Sequence, residues 1–286
     1  MKGILFAGDS YTWGEGLHLY SDLPDIVYEE HGFDIYNYTP AHKNWIEANR
    51  FSRRVANHFN TFDLVRFENG GNNTDIFNFI DNIETEYQSR YVIANNSTHR
   101  AFTYKLDDFD YIVIQLTDIF RSDIELPNGK TCNIRSSQSI KDTGFTDYLR
   151  DTFNNDLNKF ISYYLEKVSK ELENRIKKYE SLGIKKCFII TWQNDILSFI
   201  KNNLFLNERL ITFNLGTRIA ETIWDLQSAF EVNNSNPEMT INKDSYLLGK
   251  NIITTNGHTS LTAHKVMAKS IIKKIEQNEQ TTIHTI

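Results

Sequence analysis

The chain has 286 residues, of which 40% are hydrophobic and only 4 are proline, so it can bury a large core as one domain. The formal net charge of −6, without a basic face, argues against nucleic acid or an anionic membrane as a partner. We therefore expect a single domain over residues 1–286.

The first predicted element is a buried strand over residues 4–7, a short apolar run that ends abruptly at Gly8-Asp9-Ser10. Ligands bind at the carboxyl ends of strands in open α/β sheets, where a small hydroxyl residue can present its oxygen beside backbone N–H groups. Ser10 is therefore the candidate nucleophile. Gly-Asp-Ser is also common in ordinary turns, so the tripeptide alone does not decide between the two interpretations.

The next predicted elements are a helix, a strand and a glycine loop. Apolar residues at spacings of three and four predict an amphipathic helix over residues 44–59, and residues 64–68 are predicted to form the second strand. Residues 69–75 form a glycine-containing loop before the next helix. A glycine lets the backbone approach a substrate closely, and loop N–H groups can stabilise developing negative charge. Gly71 is the first candidate for such a donor and Gly70 the second.

The middle of the chain contains the strongest strand signal. Residues 110–117 are rich in β-branched residues and predict a third parallel strand. Residues 122–147 are polar and turn-rich, and we expect them to form either a lid over the carboxyl edge of the sheet or a surface insertion. A long amphipathic helix over residues 156–181 and a fourth strand over residues 187–191 follow.

The last part of the chain contains a candidate base. Helices are predicted over residues 196–204, 218–229 and 260–277. His258 lies in the loop before the last of them, and histidine has a pKa suited to activating a serine hydroxyl. His264 lies on that helix and is expected to pack. The alternation of strands and helices favours a doubly wound α/β sandwich with a mainly parallel sheet.

The motifs at the two ends of the chain resemble those of the SGNH (GDSL-type) hydrolases. In this family the nucleophile is the serine of a Gly-Asp-Ser after the first strand, and the base is a histidine near the C-terminus, which here are Ser10 and His258. The resemblance implies a three-layer α/β/α sandwich with a flavodoxin-like central sheet. It also implies an oxyanion hole formed by the N–H groups of Ser10 and Gly71, with Asp9 and Gly70 in supporting roles.

Two family motifs are altered in this chain. Where the family has Gly-x-Asn-Asp after the third strand, the sequence is Leu-Thr-Asp-Ile-Phe-Arg, which lacks the asparagine that donates to the oxyanion. Gln115, Thr117 or Arg121 could supply that donor. Where the family has an aspartate three residues before the histidine, this chain has Thr255, with Asn256 beside it. Either residue could orient the imidazole of a serine–histidine dyad.

The resemblance implies a serine ester hydrolase that acts on short acyl esters through an acyl-enzyme, and we expect O-acetyl esters of carbohydrates as substrates. The alternatives are an acyltransferase that uses the same acyl-enzyme and a glycan- or acyl-binding protein without turnover. The altered end of the third strand favours the binding protein. Neither a cofactor nor a metal is expected, because His258 and His264 lie six residues apart and no P-loop or dinucleotide motif is present.

Cysteine content and hydropathy predict where the protein resides. Cys132 and Cys187 are too few for a disulfide scaffold, and Cys187 lies in an apolar run typical of a buried, reduced thiol. The first apolar segment is too short for a secretory signal, and no apolar run approaches the ~20 residues that span a bilayer. We expect a soluble, cytoplasmic protein, and the abundance of Asn, Ile and Lys also fits a virus-encoded origin.

Overall fold

A computed structural model describes residues 1–14, 17, 40–66, 72–84, 104–117, 123–133, 137–191, 194–212 and 261–283. Within these ranges the chain forms six strands: β1 (Gly3–Ala7), β2 (Asp63–Val65), β3 (Phe109–Gln115), β4 (Asp123–Glu125), β5 (Thr131–Asn133) and β6 (Lys186–Ile190). The α-helices in the same ranges are α1 (Ser10–Trp13), α2 (Pro40–Asn49), α3 (Phe51–His58), α4 (Asn73–Asp81), α5 (Ser137–Thr143), α6 (Phe145–Phe153), α7 (Leu157–Ser181), α8 (Asn194–Asn202), α9 (Leu204–Asn207) and α10 (Leu261–Ile283).

Four strands form a central sheet in which every described pairing is parallel. The strand order is β2-β1-β3-β6, so the chain adds β2 on one side of β1 and then crosses over to add β3 on the other side. Leu5 of β1 is in register with Leu64 of β2 and with Ile112 of β3. The parallel α/β sheet expected from the alternation of strands and helices is therefore confirmed.

Both faces of the central sheet are apolar and buried, because alternate residues of a strand point to opposite faces. We call first face the one whose core includes Leu5, Ile112 and Cys187. The second face has a separate core cluster that includes Ile4, Tyr111 and Phe188. A sheet of this kind can be stable only when other elements cover each face.

Helices contribute apolar side chains to the core on both faces. On the first face these side chains come from α4, α7 and α8 and include Ile76, Ile80, Leu172, Ile176 and Ile200. On the second face they come from α2, α3 and α10 and include Ile46, Phe51, Val55, Met267 and Ile271. The central strands are thus shielded from solvent on either side, which explains their continuous apolar sequences.

The segment predicted as a lid or insertion contains regular structure. β4 and β5 pair as an antiparallel hairpin, and α5 follows. Ile124, Leu126 and Cys132 of this hairpin are buried in the core of the first face. The described part of the segment is therefore anchored by apolar side chains, and its role as a lid stays a prediction.

The single helix predicted over residues 44–59 is wrong in its continuity. α2 ends at Asn49 and α3 begins at Phe51, because Arg50 between them has an extended backbone with φ −62° and ψ 154°. The N–H of Phe51 donates to Nδ1 of His264 at 3.0 Å instead of to an earlier carbonyl. His264 is fully buried and its ring stacks on Phe51, which agrees with the expectation that it packs.

A buried group of charges ties the junction of α2 and α3 to the amino end of β2. Asp63, whose side chain is fully buried, accepts from Arg50 Nη2 at 3.0 Å and from Ser52 Oγ at 2.8 Å. Arg53 Nε lies 2.6 Å from its other carboxylate oxygen. Burial alone would raise the pKa of Asp63, but the two guanidinium groups and the Ser52 hydroxyl together hold that pKa below its ordinary value.

Both cysteines are buried, free thiols. Burial raises the pKa of the Cys187 thiol, as expected for a residue that stays protonated within a core. The helix predicted over residues 218–229 lies outside the described residues. None of the described helices combines the length and the apolar character needed to cross a bilayer.

Candidate active site at the carboxyl end of β1

The predicted nucleophile turn lies at the carboxyl edge of the central sheet. Gly8 and Asp9 connect β1 to α1, a single helical turn that begins at Ser10. The chain runs from β1 to β2 on one side and then returns from β2 to β3 on the other side of β1, and open α/β sheets bind ligands in the crevice at such a switch point. The turn therefore occupies the place where a ligand is expected.

Asp9 is almost completely buried and directly precedes α1. Its backbone carbonyl accepts hydrogen bonds from the N–H groups of Thr12 at 3.0 Å and Trp13 at 3.2 Å. Its carboxylate oxygen Oδ1 accepts from Nε2 of Gln115 at 2.6 Å. Both the main chain and the side chain of Asp9 thus fix the turn that leads into Ser10.

Gln115, the last residue of β3, bonds two residues of the turn. It is fully buried, and its amide oxygen accepts from the hydroxyl of Thr12 while its amide nitrogen donates to Asp9. The sequence suggested Gln115 as an oxyanion donor. In the structure its amide instead joins the residues on the two sides of Ser10, which is an internal role.

Glycine is favoured at position 8 because a side chain there would displace its neighbours. A Cβ atom on Gly8 would lie 2.1 Å from Oγ1 of Thr12 and 2.7 Å from Oε1 of Gln115, well inside van der Waals contact. The carbonyl of Gly8 accepts from Nη1 of Arg66 at 3.2 Å, and Arg66 is a fully buried residue directly after β2. Side chains from both neighbouring strands therefore hold the end of β1.

Thr117 lies just beyond β3 and was a candidate for a supporting role. Its N–H donates to Oδ1 of Asn73 at 2.9 Å, and its carbonyl accepts from Nδ2 of the same residue at 3.0 Å. Asn73 is the first residue of α4, and the N-cap of this helix, Asn72, forms a reciprocal capping box with Asp75. The backbone of Thr117 is thereby tied to the start of α4.

The residues after Ser10 also have structural roles. Trp13 is buried in the core of the second face with Ile46 and Phe51. Gly14 has a φ of +97°, a left-handed conformation that L side chains rarely adopt, and it ends α1. The turn and α1 are therefore anchored to the core at several positions.

The structure places only part of the predicted site. The backbone of Ser10 opens α1, whereas its side chain lies outside the described part of the chain. Gly70, Gly71, Thr255, Asn256 and His258 also lie outside the described residues. The described residues bring together Gly8, Asp9, Thr12, Arg66 and Gln115, and they leave the pairing of serine and histidine a prediction.

Sequence reasoning missed three residues that shape this edge, namely Thr12, Arg66 and Asn73. A signal was present for Arg66, since it lies inside the strand predicted over residues 64–68, where a buried charged residue needs hydrogen-bond partners. Thr12 and Asn73 give no such signal, because polar residues are ordinary near the starts of helices.

Comparisons with family models, curated proteins and solved structures found no match to this chain. Within the described residues, no group of His, Cys, Asp and Glu side chains is arranged to hold a metal ion. The resemblance to the SGNH hydrolases therefore depends on the sequence motifs alone.

Proposed function

We propose that the chain is a serine ester hydrolase of the SGNH type, with the three-layer α/β/α, flavodoxin-like architecture of that family. Ser10 attacks the acyl carbon of a short acyl ester, and His258 takes the serine proton and passes it to the leaving alcohol. Water, deprotonated by His258, then attacks the acyl carbon, the bond between the acyl group and Ser10 breaks to release the carboxylic acid, and His258 returns the proton to the serine oxygen. The substrate class that fits best is an O-acetyl ester of a carbohydrate.

The observation that carries the proposal is the geometry of the Gly8-Asp9-Ser10 turn at the carboxyl end of β1. Gly8 is closely packed against Thr12 and Gln115, and Asp9 is held by Gln115. A turn held by these contacts, at the edge where open α/β sheets generally bind ligands, supports a role in which the position of Ser10 matters. The strand order β2-β1-β3-β6, with helices contributing to the core on both faces, supports the proposed architecture.

The end of β3 bears on the expected rate. The N–H of Thr117 donates to Asn73, and the amide of Gln115 bonds Asp9 and Thr12, so the oxyanion donors of the proposal are the N–H groups of Ser10 and Gly71. Loss of one oxyanion donor typically slows the chemical step by about 10²–10³. We therefore expect slow turnover of simple esters.

The experiment that tests the proposal is covalent labelling with a fluorophosphonate, followed by intact-mass measurement and peptide mapping. The native protein is expected to take up one label at Ser10, and the variants Ser10→Ala and His258→Ala are expected to take up none. Circular dichroism shows whether each variant is folded. A folded native protein that stays unlabelled contradicts the proposal.

A second candidate is a protein that binds a glycan or acyl ligand without turnover. The observation that favours it is the engagement of Thr117 and Gln115 in internal hydrogen bonds at the place where the family has an oxyanion donor. Binding of O-acetylated glycans by a protein that resists labelling would support this candidate. Labelling at Ser10 would reject it.

A further inference from the structure

The two partners of Gln115 lie on opposite sides of Ser10 in the chain. Asp9 directly precedes Ser10 and accepts from the Gln115 amide nitrogen at 2.6 Å, whereas Thr12 follows two residues later and donates to the amide oxygen. Asp9 and Thr12 are each about 1% exposed, and Gln115 is fully buried. The side chain of Gln115, from β3, therefore bonds residues on both sides of the candidate nucleophile in the chain.

Glutamine is suited to this position because both its amide oxygen and its amide nitrogen form hydrogen bonds. A carboxylate such as that of Asp9 accepts hydrogen bonds, so it requires a donor, and the Thr12 hydroxyl donates here and so requires an acceptor. Glutamate in place of Gln115 would keep the acceptor but place two carboxyl groups within contact distance. An apolar side chain would remove both of these buried hydrogen bonds, which is costly.

The short helix α1 needs this support. It has only four residues, and a single helical turn is unstable by itself because nucleation fixes several dihedral angles for few hydrogen bonds. The hydrogen bonds from the N–H groups of Thr12 and Trp13 to the Asp9 carbonyl therefore depend on the surrounding contacts. The bonds of Gln115 to residues 9 and 12 supply two of these contacts.

We propose that Gln115 is a positioning residue that sets the backbone on both sides of Ser10 and thereby fixes where the nucleophile stands. Gln115 acts through Asp9 and Thr12 and does not itself touch the substrate. The inference rests on the proposed function in one respect, since the position of Ser10 matters for chemistry only if Ser10 reacts. The effect of Gln115 on the backbone of the turn can be measured whether or not Ser10 reacts.

Three variants isolate the contribution of Gln115. Gln115→Met keeps a similar volume and removes both hydrogen bonds, and Gln115→Glu keeps the shape and the acceptor but removes the donor to Asp9. The matched control is Ser52→Ala, which removes a buried hydrogen bond to the carboxylate of Asp63, at the amino end of β2 and thus away from the turn. The control thus separates a general loss of stability from a change in the turn.

The first measurement is amide hydrogen exchange. We expect the N–H groups of Thr12 and Trp13 to exchange about 10 to 100 times faster in Gln115→Met and Gln115→Glu, relative to the N–H of Ile271 in α10. Ser52→Ala should leave this ratio unchanged. An unchanged ratio in both Gln115 variants would overturn the proposal.

The second measurement is the rate constant of fluorophosphonate labelling at Ser10, at a temperature where all variants are folded. We expect labelling about 10 to 100 times slower in both Gln115 variants, and native labelling in Ser52→Ala. Altered exchange with unchanged labelling would overturn the positioning role. If the native protein is not labelled, the proposed function fails, and hydrogen exchange alone decides whether Gln115 sets the turn.

Discussion

Two buried aspartates lie at opposite ends of neighbouring parallel strands, Asp9 after the carboxyl end of β1 and Asp63 at the amino end of β2, and they are held in different ways. Asp63 opens β2, and its carboxylate lies against the guanidinium groups of Arg50 and Arg53. Asp9 follows β1, and its carboxylate accepts from the neutral amide of Gln115 at 2.6 Å. One aspartate is thus held by opposite charge, and the other by a side chain that also holds the next turn of the chain.

The difference between Asp63 and Asp9 separates two uses of a buried carboxylate. Around Asp63, opposite charges join two helices to a strand, and the result is stability. Around Asp9, hydrogen bonds fix the direction of a short turn, and the result is the placement of Ser10. We therefore expect substitutions at Asp63 to act mainly on the free energy of unfolding, and substitutions near Asp9 to act on the candidate site as well.

The largest expected effect is that of Asp63→Asn. This change removes the carboxylate that Arg50 and Arg53 share and leaves them only that of Glu47. Breaking a buried pair such as Arg50–Asp63 typically lowers the free energy of unfolding by about 3–5 kcal/mol. Urea unfolding followed by circular dichroism measures the loss. Glu47→Gln is the control, because Glu47 pairs with Arg53 at 2.8 Å near the surface and should cost less than about 1 kcal/mol. Equal losses of unfolding free energy in the two variants would contradict the view that the buried carboxylate of Asp63 stabilises the fold more than the surface carboxylate of Glu47.

The stabilisation by Asp63 should disappear in acid. The pKa of Asp63 is lower in the folded protein than its ordinary value of 3.8, so its contribution is complete above that value and is lost as the pH falls through the folded-state pKa. The difference in unfolding free energy between the native protein and Asp63→Asn should therefore be constant from pH 7 to about 5 and narrow below pH 3.8. Urea unfolding at several pH values measures this difference in unfolding free energy. A difference that widens in acid would contradict the lowered pKa of Asp63 in the folded protein.

A smaller effect is expected for Gly8→Ala. The added methyl group would overlap Oγ1 of Thr12, and overpacking of this kind costs about 1–3 kcal/mol in unfolding free energy. Labelling at Ser10 should slow as well, because the same turn is displaced. The double variant with Thr12→Ala, which removes the nearest atom, should lose less stability than the sum of the single variants. If the loss of unfolding free energy in the double variant equals the sum of the single losses, the added methyl group does not act through Thr12.

A still smaller effect is expected for Ser52→Ala. The Ser52 hydroxyl donates to Asp63 at 2.8 Å, but the two guanidinium groups remain, so the loss should be about 1 kcal/mol. Chemical denaturation of the native protein and the variant under identical conditions measures this difference. A loss as large as that of Asp63→Asn would mean that the hydroxyl, rather than the arginines, holds the carboxylate.

Much of the central sheet could be predicted because its strands are buried on both faces. The strand predicted over residues 110–117 corresponds to β3 (Phe109–Gln115), and the helix predicted over residues 156–181 corresponds to α7 (Leu157–Ser181). Continuous apolar runs and a long helical period are strong signals. The hairpin of β4 and β5 was missed because each strand has three residues, too few to show a period.

The interruption at Arg50 could not be predicted, because the apolar period of residues 44–59 continues across it. The N–H of Phe51 is bonded by His264, which is 213 residues away in the chain, and no local pattern reveals such a partner. The candidate site shows the same limit. The Gly8-Asp9-Ser10 tripeptide is visible in the sequence, whereas the bond between Asp9 and Gln115 joins residues 106 positions apart.

The packing of α10 on the second face has a consequence for synthesis. Met267, Ala268, Ile271 and Ile275 complete a core whose other members, such as Ile4 and Phe51, are translated more than 200 residues earlier. Until residues 261–283 leave the ribosome, the nascent chain has one apolar sheet face without its last helix. Such exposed surface is what chaperones bind and what drives aggregation. The order of translation therefore makes the second face the last part of the described sheet to be protected.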